Sequence, residues 1–150
     1  MANSTVFVQL AQAVKGSLAE VGIDMTIETL DSGSASARRQ SGDFGAAFSL
    51  WPPDVDPDGN LYSLLRTGGS SNNSRYSNAK VDELLDKARI TSDQQERQAA
   101  YHQIQAIVLE DAPVLMLHRD ADIKLLSKRL QGAAPTFDTY FSVHQLWLQK

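Results

Sequence analysis

A chain of 150 residues is long enough for one domain with a real core, since a domain of that size buries roughly 70% of its unfolded surface. A net charge of −4, from 14 basic and 18 acidic residues with no basic run beyond Arg38-Arg39, excludes a surface that tracks a phosphate backbone, so no nucleic-acid partner is expected. Cysteine is absent, which removes disulfides, thiolate nucleophiles and cysteine metal ligands, and no apolar run approaches the ~20 residues of a membrane span. The first residues lack the basic-then-apolar pattern of a secretion signal, so the chain is expected to be cytosolic or to begin inside a longer protein.

Val6, Leu10, Val14, Leu18 and Val21 recur at helical spacing, with Asn3, Ser4 or Thr5 to cap the start and Gly22 to stop it. Ile23, Met25 and Ile27 alternate with polar residues and predict a strand with one buried face. The Ser/Gly/Ala stretch from Asp31 to Ala37 opens a short helix carrying Arg38 and Arg39. The continuous run Phe44 to Trp51 predicts a second strand covered on both faces, and this helix-strand alternation implies a right-handed crossover. A short helix is expected over Asn60 to Thr67, then an exposed loop at 68–74. Next comes a helix capped by Ser77 or Asn78, whose buried face is Val81, Leu84, Leu85 and Ala88. Ser92 and Gln95 form the capping box of a longer helix that buries Ala100, Tyr101, Ile104, Ile107 and Val108 and ends before Pro113. Val114 to Leu117 reads as a third buried strand, and Val143, Leu146, Trp147 and Leu148 form a terminal apolar cluster.

The loop after Trp51 concentrates the chemistry. A predicted strand runs into Pro52-Pro53 and then Asp54, Asp56 and Asp58, which places a rigid acidic loop at a strand's carboxyl end, where open α/β sheets bind ligands. Asp54 to Gly59 fits the first six positions of a calcium loop, but the twelfth, which needs a bidentate glutamate, is Leu65. Turn-forming acids that cap a helix or meet a cationic ligand are the better reading. His102, His118 and His144 are too scattered for a helical zinc motif, and no nucleophile elbow, phosphate loop or dinucleotide fingerprint occurs. No enzyme, cofactor or metal is therefore expected. Trp51 either ends a core strand or lines a pocket, and Tyr76 is a candidate ligand contact. Arg97, four residues after Asp93, has the spacing of a local ion pair.

The ordered series Leu18-Ala19-Glu20-Val21-Gly22-Ile23, Gly42-Asp43-Phe44, Trp51, Asp54 to Pro57, Asn73 to Asn78, Val81 to Leu85, Asp93, Arg97, Tyr101, Gln105, Asp111-Ala112-Pro113 and Gly132 carries a resemblance. Over nearly its whole length the chain resembles the carboxyl-terminal part of family 5 extracellular solute-binding proteins, the oligopeptide, dipeptide and nickel type that feed ABC importers. The resemblance implies an α/β fold, one lobe of a type II periplasmic-binding-protein fold with a mixed sheet flanked by helices. Residues 1–130 would be the second, ligand-binding lobe of a two-lobed protein and 131–150 a tail returning to the first. It implies capture of peptides or similar small solutes between two lobes, delivery to a membrane permease, and a location in the periplasm or at the outer face of the cell membrane.

In peptide-binding members an acid shortly after the tryptophan pairs with the ligand's ammonium, and Asp54 occupies the matching place. Only Val55 separates Asp54 from Asp56 where members usually have two residues, so either aspartate fits. Gly45 replaces an acid common in the Gly-Asp-Phe element. No basic residue near Val8 or Gln9 stands ready for a ligand carboxylate, so the ligand is not a free peptide or its other end is held elsewhere. With the first lobe absent, Phe141, Val143, Leu146, Trp147 and Leu148 are expected to drive dimerisation or stay disordered. The alternatives are a calcium-binding module built on Asp54 to Gly59 and a stand-alone interaction domain using the 68–76 loop.

Overall fold

Side-chain caps decide where the helices of this chain begin. In the computed structural model, which describes residues 5–52, 54–117, 123–134 and 143–149, α1 spans Thr5–Glu20, α2 Ser32–Ser41, α3 Pro57–Leu65, α4 Ala79–Ile90 and α5 Gln94–Asp111. Asp31 caps α2 by accepting from the amides of Gly33 and Ser34, and Asn78 caps α4 by accepting from Lys80 and Val81. Each such oxygen satisfies donors that the first helical turn leaves unpaired. The caps at Asn3 and Ser4, together with His118 and Phe141, lie outside the described residues.

Two helix starts differ from the sequence reading. Asp56 caps α3 with Pro57 at its first position, so the helix begins three residues before Asn60: proline has no amide to lose there and its φ suits the turn. The cap of α5 is Asp93, which accepts from Gln95 and Glu96, while Thr91 Oγ1 accepts from the Asp93 amide. The Ser92 capping box therefore does not form, because a carboxylate one residue later reaches the same donors.

The chain divides into two units, Met1–Trp51 with Asn73–Arg75, and Pro52–Asn72 with Tyr76–Lys150. In the first, Ala11 of α1 and Ala35 of α2 are buried, and the rings of Phe7 and Phe48 sit 6.5 Å apart. Gly42 ends α2 in the left-handed region at φ 78°. There the Arg75 guanidinium lies where a Cβ would stand and donates to the Ser41 carbonyl, a cation at the negative end of a helix. In the second unit α4 packs on both α3 and α5. Its core is Leu64 and Leu65 of α3, Val81, Leu84, Leu85 and Ala88 of α4, and Ala100 and Ile104 of α5. The helical periodicity had singled out that face of α4.

The three expected strands do not form ladders. Residues 23–29, 44–51 and 114–117 have no regular secondary structure, and Leu30 is a bridge residue. Ile23 is 52% exposed, Leu50 66% and Leu115 75%. A helix satisfies its backbone within its own segment, whereas a strand needs a neighbour for every amide and carbonyl. The alternation at Ile23, Met25 and Ile27 encodes an extended amphipathic segment without supplying that neighbour.

Among the described residues the one sheet joins β1 (Leu130–Gln131) to β2 (Trp147–Leu148), antiparallel, with Leu130 opposite Leu148 and Gln131 opposite Trp147. The terminal cluster thus returns onto its own chain, and the expected dimer through it finds no support among the described residues.

Candidate functional site

The loop from Pro52 into α3 is closed by its own polar groups. The Asn60 side-chain amide donates to the Pro52 carbonyl at 2.8 Å, Asp54 Oδ1 accepts from the Asp56 amide at 3.2 Å, and Asp56 Oδ1 accepts from the Asp58 amide at 2.9 Å. Successive Asx turns of this kind are why alternating aspartates favour such a loop.

The three aspartates then part company. Asp58 holds Arg89 of α4 in a bidentate pair with contacts of 2.8 and 3.1 Å, and the Arg89 guanidinium also lies 3.3 Å from the Tyr62 ring centroid. Asp56 accepts from Arg97 of α5 at 2.5 Å, and Arg97 donates its Nε to the Ala88 carbonyl at 3.0 Å. The Arg97 hydrogen bond is the main reason that the Asp56 carboxyl titrates below the usual carboxylate range. Arg97 therefore pairs across the fold with Asp56, and not with Asp93, which is occupied as a helix cap. Asp54 is exposed, and no basic side chain pairs with it among the described residues.

The far end of α3 is tied as firmly. Arg66 meets Asp86 through Nε at 2.9 Å and Nη2 at 3.0 Å, the Tyr62 hydroxyl donates to the same carboxylate, and the Thr67 amide donates to Asp82 at 2.8 Å. These pairs hold α3 on α4, so the acidic loop is carried by a helix anchored at both ends. The aspartates do not converge as a calcium loop requires: two are committed to arginines, and among the described residues no group of three acidic or histidine side chains is placed to hold a metal.

Tyr76 sits half-buried at the entry to α4, with its hydroxyl donating to Asp111 at the end of α5 and its amide donating to Asn72 Oδ1 at 3.0 Å. Asn78, besides capping α4, donates to the same Asp111 carboxylate at 2.8 Å. Asn72 organises the preceding loop, because its amide also donates to the Arg66 and Tyr76 carbonyls. Within the loop expected at 68–74, backbone bonds from Gly69 to Arg66 and from Ser71 to Ser63, at 2.8 and 3.0 Å, add further ties. Trp51, in the first unit, is half-buried.

Burial and then the Asp111 carboxylate push the Tyr76 phenol up to about 12. A phenol that titrates later in the folded state than its ~10 in an unfolded chain stabilises the fold fully below pH ~10, and that contribution is lost as pH rises through about 12. Tyrosinate absorbance is expected to show a late-titrating component that Tyr76→Phe removes. The variant's melting temperature should fall less between pH ~10 and ~12 than that of the unaltered chain.

Residues 1–73 match the family model described as bacterial extracellular solute-binding proteins, family 5, middle. The probable D,D-dipeptide-binding periplasmic protein DdpA of Escherichia coli is 30% identical over 147 residues, which cover 91% of this chain and 28% of that protein. A probable di/tripeptide-binding protein of Pseudomonas aeruginosa is 30% identical over 126 residues, 81% of this chain and 24% of that one. Among solved structures, the ABC transporter substrate-binding protein CtaP of Listeria monocytogenes superposes with a TM-score of 0.87 at 26% identity, over 100% of this chain and 32% of that one. The periplasmic binding protein DppA of Helicobacter pylori, in complex with the peptide STSA, gives 0.72 at 28% identity, over 95% and 29%. This chain thus spans 24–32% of the length of these relatives. Its fold is that of an α/β lobe of the type II periplasmic binding proteins, and the chain belongs to the family 5 bacterial extracellular solute-binding proteins.

Proposed function

We propose that this chain is a ligand-contacting lobe of the solute-binding component of an ABC importer, that it serves peptides or similar small solutes, and that it has no catalytic role. In this reading a longer protein closes two lobes around the solute outside the cytoplasmic membrane, in the periplasm, and presents it to a membrane permease. Residues 131–150 return toward the other lobe. The extended segments 23–29, 44–51 and 114–117, which expose Ile23, Leu50 and Leu115, complete their ladders there. Relatives named as dipeptide-binding and di/tripeptide-binding proteins, and one named as a probable D,D-dipeptide-binding protein, support the solute class.

One observation carries the assignment of the site. Of the three loop carboxylates, Asp56 and Asp58 are neutralised by Arg97 and Arg89, and Asp54 alone keeps an exposed carboxylate with no basic partner among the described residues. A fixed carboxylate of that kind suits the ammonium of a peptide amino terminus, a charge-assisted contact of the stronger sort. Asp56 and Tyr76 would act behind the site, through Arg97 and Asp111.

Thermal melting of the full-length protein against di- and oligopeptides, nickel chelates, sugars and calcium tests the reading, because a ligand that binds only the native state raises its melting temperature by mass action. Peptides are expected to raise it by several degrees. Stabilisation by calcium alone, or by none of the panel, would overturn the peptide assignment.

A further inference from the structure

We infer that Gly59 is a positioning residue for the Asp54 carboxylate: the space left by its missing side chain is the seat in which that carboxylate rests. The inference rests on the reading of Asp54 as the ligand's ammonium partner. Gly59 lies in the first turn of α3, two residues after Pro57, where a helix gains nothing from glycine and an alanine would ordinarily stabilise it. Its backbone is not in the left-handed region, so chain conformation does not require glycine there. Space does: a Cβ built on Gly59 would overlap Asp54 Oδ2 and stand 2.6 Å from the Asp54 carboxyl carbon.

The surrounding bonds fix the same geometry. Asn60 holds the Pro52 carbonyl and so closes the loop over the helix start, while the Asp56 amide holds Asp54 Oδ1 from the other side. The carboxylate is thus lodged between one donor and the bare Cα of Gly59. Because an aspartate side chain is short, a methyl group on Gly59 turns the carboxylate out of its seat and leaves the helix intact. In a chain with a single residue between Asp54 and Asp56, a glycine at this place sets where the acid points.

The test pairs Gly59→Ala with Asp54→Ala in the full-length protein and reads two signals. The first needs no ligand: the amide resonance and hydrogen exchange of Asp56, which report its bond to Asp54. Asp54→Ala removes that acceptor, and Gly59→Ala is expected to move the Asp56 signals in the same direction with a melting temperature equal to or above the parent's. The second is peptide affinity, expected to fall about ten- to hundredfold in Gly59→Ala, the loss of a charge-assisted bond. An Asp56 amide unchanged in Gly59→Ala would overturn the seat. A changed amide with undiminished peptide affinity would overturn the positioning role. If the parent binds no peptide, the functional reading and with it the positioning role fall, while the amide signals still decide whether Gly59 seats the carboxylate.

Discussion

Replacing Asp54 by asparagine is expected to cut the peptide affinity of the full-length protein about ten- to hundredfold while leaving the melting temperature of the ligand-free protein nearly unchanged. The magnitude follows from removing one partner of a charge-assisted hydrogen bond, which contributes about 1.5–3 kcal/mol, where each 1.4 kcal/mol is a factor of ten. The stability follows from the loop: among the described residues Asp54 accepts one hydrogen bond, from the Asp56 amide, and an asparagine oxygen can still accept it.

Asp56→Asn should behave in the opposite sense. Asparagine caps a helix as well as aspartate does, so α3 keeps its start, but Arg97 loses the negative charge it holds. Both partners are partly exposed, so the expected cost is modest, up to about 1 kcal/mol, with peptide affinity retained. Isothermal titration and thermal melting of the two variants side by side separate the roles. If Asp56→Asn abolished binding and Asp54→Asn did not, the assignment of the two acids would be reversed.

Leu85→Ala is expected to be the most damaging single change to the second unit, costing about 2–5 kcal/mol, the range for truncating a fully buried leucine where the surroundings cannot collapse into the cavity. Leu85 is fully buried on α4, the helix that packs against both α3 and α5, so the void would open on the core-facing side of that helix. At the scale of 150 residues that is a fall of about 5–15 °C in melting temperature. Ile90→Ala on the same helix is the control. Ile90 is 84% exposed, and its loss should shift stability by no more than about 0.5 kcal/mol. Equal effects of the two would mean that the core does not lie on the Val81, Leu84, Leu85 and Ala88 face.

What was legible in the sequence is what is decided locally. Asn78 before α4, the apolar face of that helix, the Gly22 stop and Pro113 beyond α5 each act within a turn or two of their own position. The cap of α5 was misplaced by one residue because Ser92 and Asp93 offer competing oxygens and spacing alone does not rank them. The strands were read from alternation at Ile23, Met25 and Ile27 and from the apolar run after Phe44, but pairing belongs to the neighbour and not to the segment. The site was half legible. Its acids stood out at once, yet the partners that commit two of them are Arg97 and Arg89, 41 and 31 residues further along the chain. Their nearest charged neighbours in sequence gave no sign of that pairing. Gly59 was visible only as a turn former, since the reason for glycine there is a carboxylate folded back from five residues earlier.

In the proposed site, the exposed Asp54 carboxylate receives a ligand's amino terminus. Isothermal titration of the full-length protein with a peptide that binds it and with the same peptide acetylated at its amino terminus tests this directly, because acetylation removes the ammonium and leaves the rest of the ligand in place. The free peptide is expected to bind at least about tenfold more tightly, and the difference should vanish in Asp54→Asn. Equal binding of the two peptides by the unaltered protein would mean that Asp54 does not receive the ammonium.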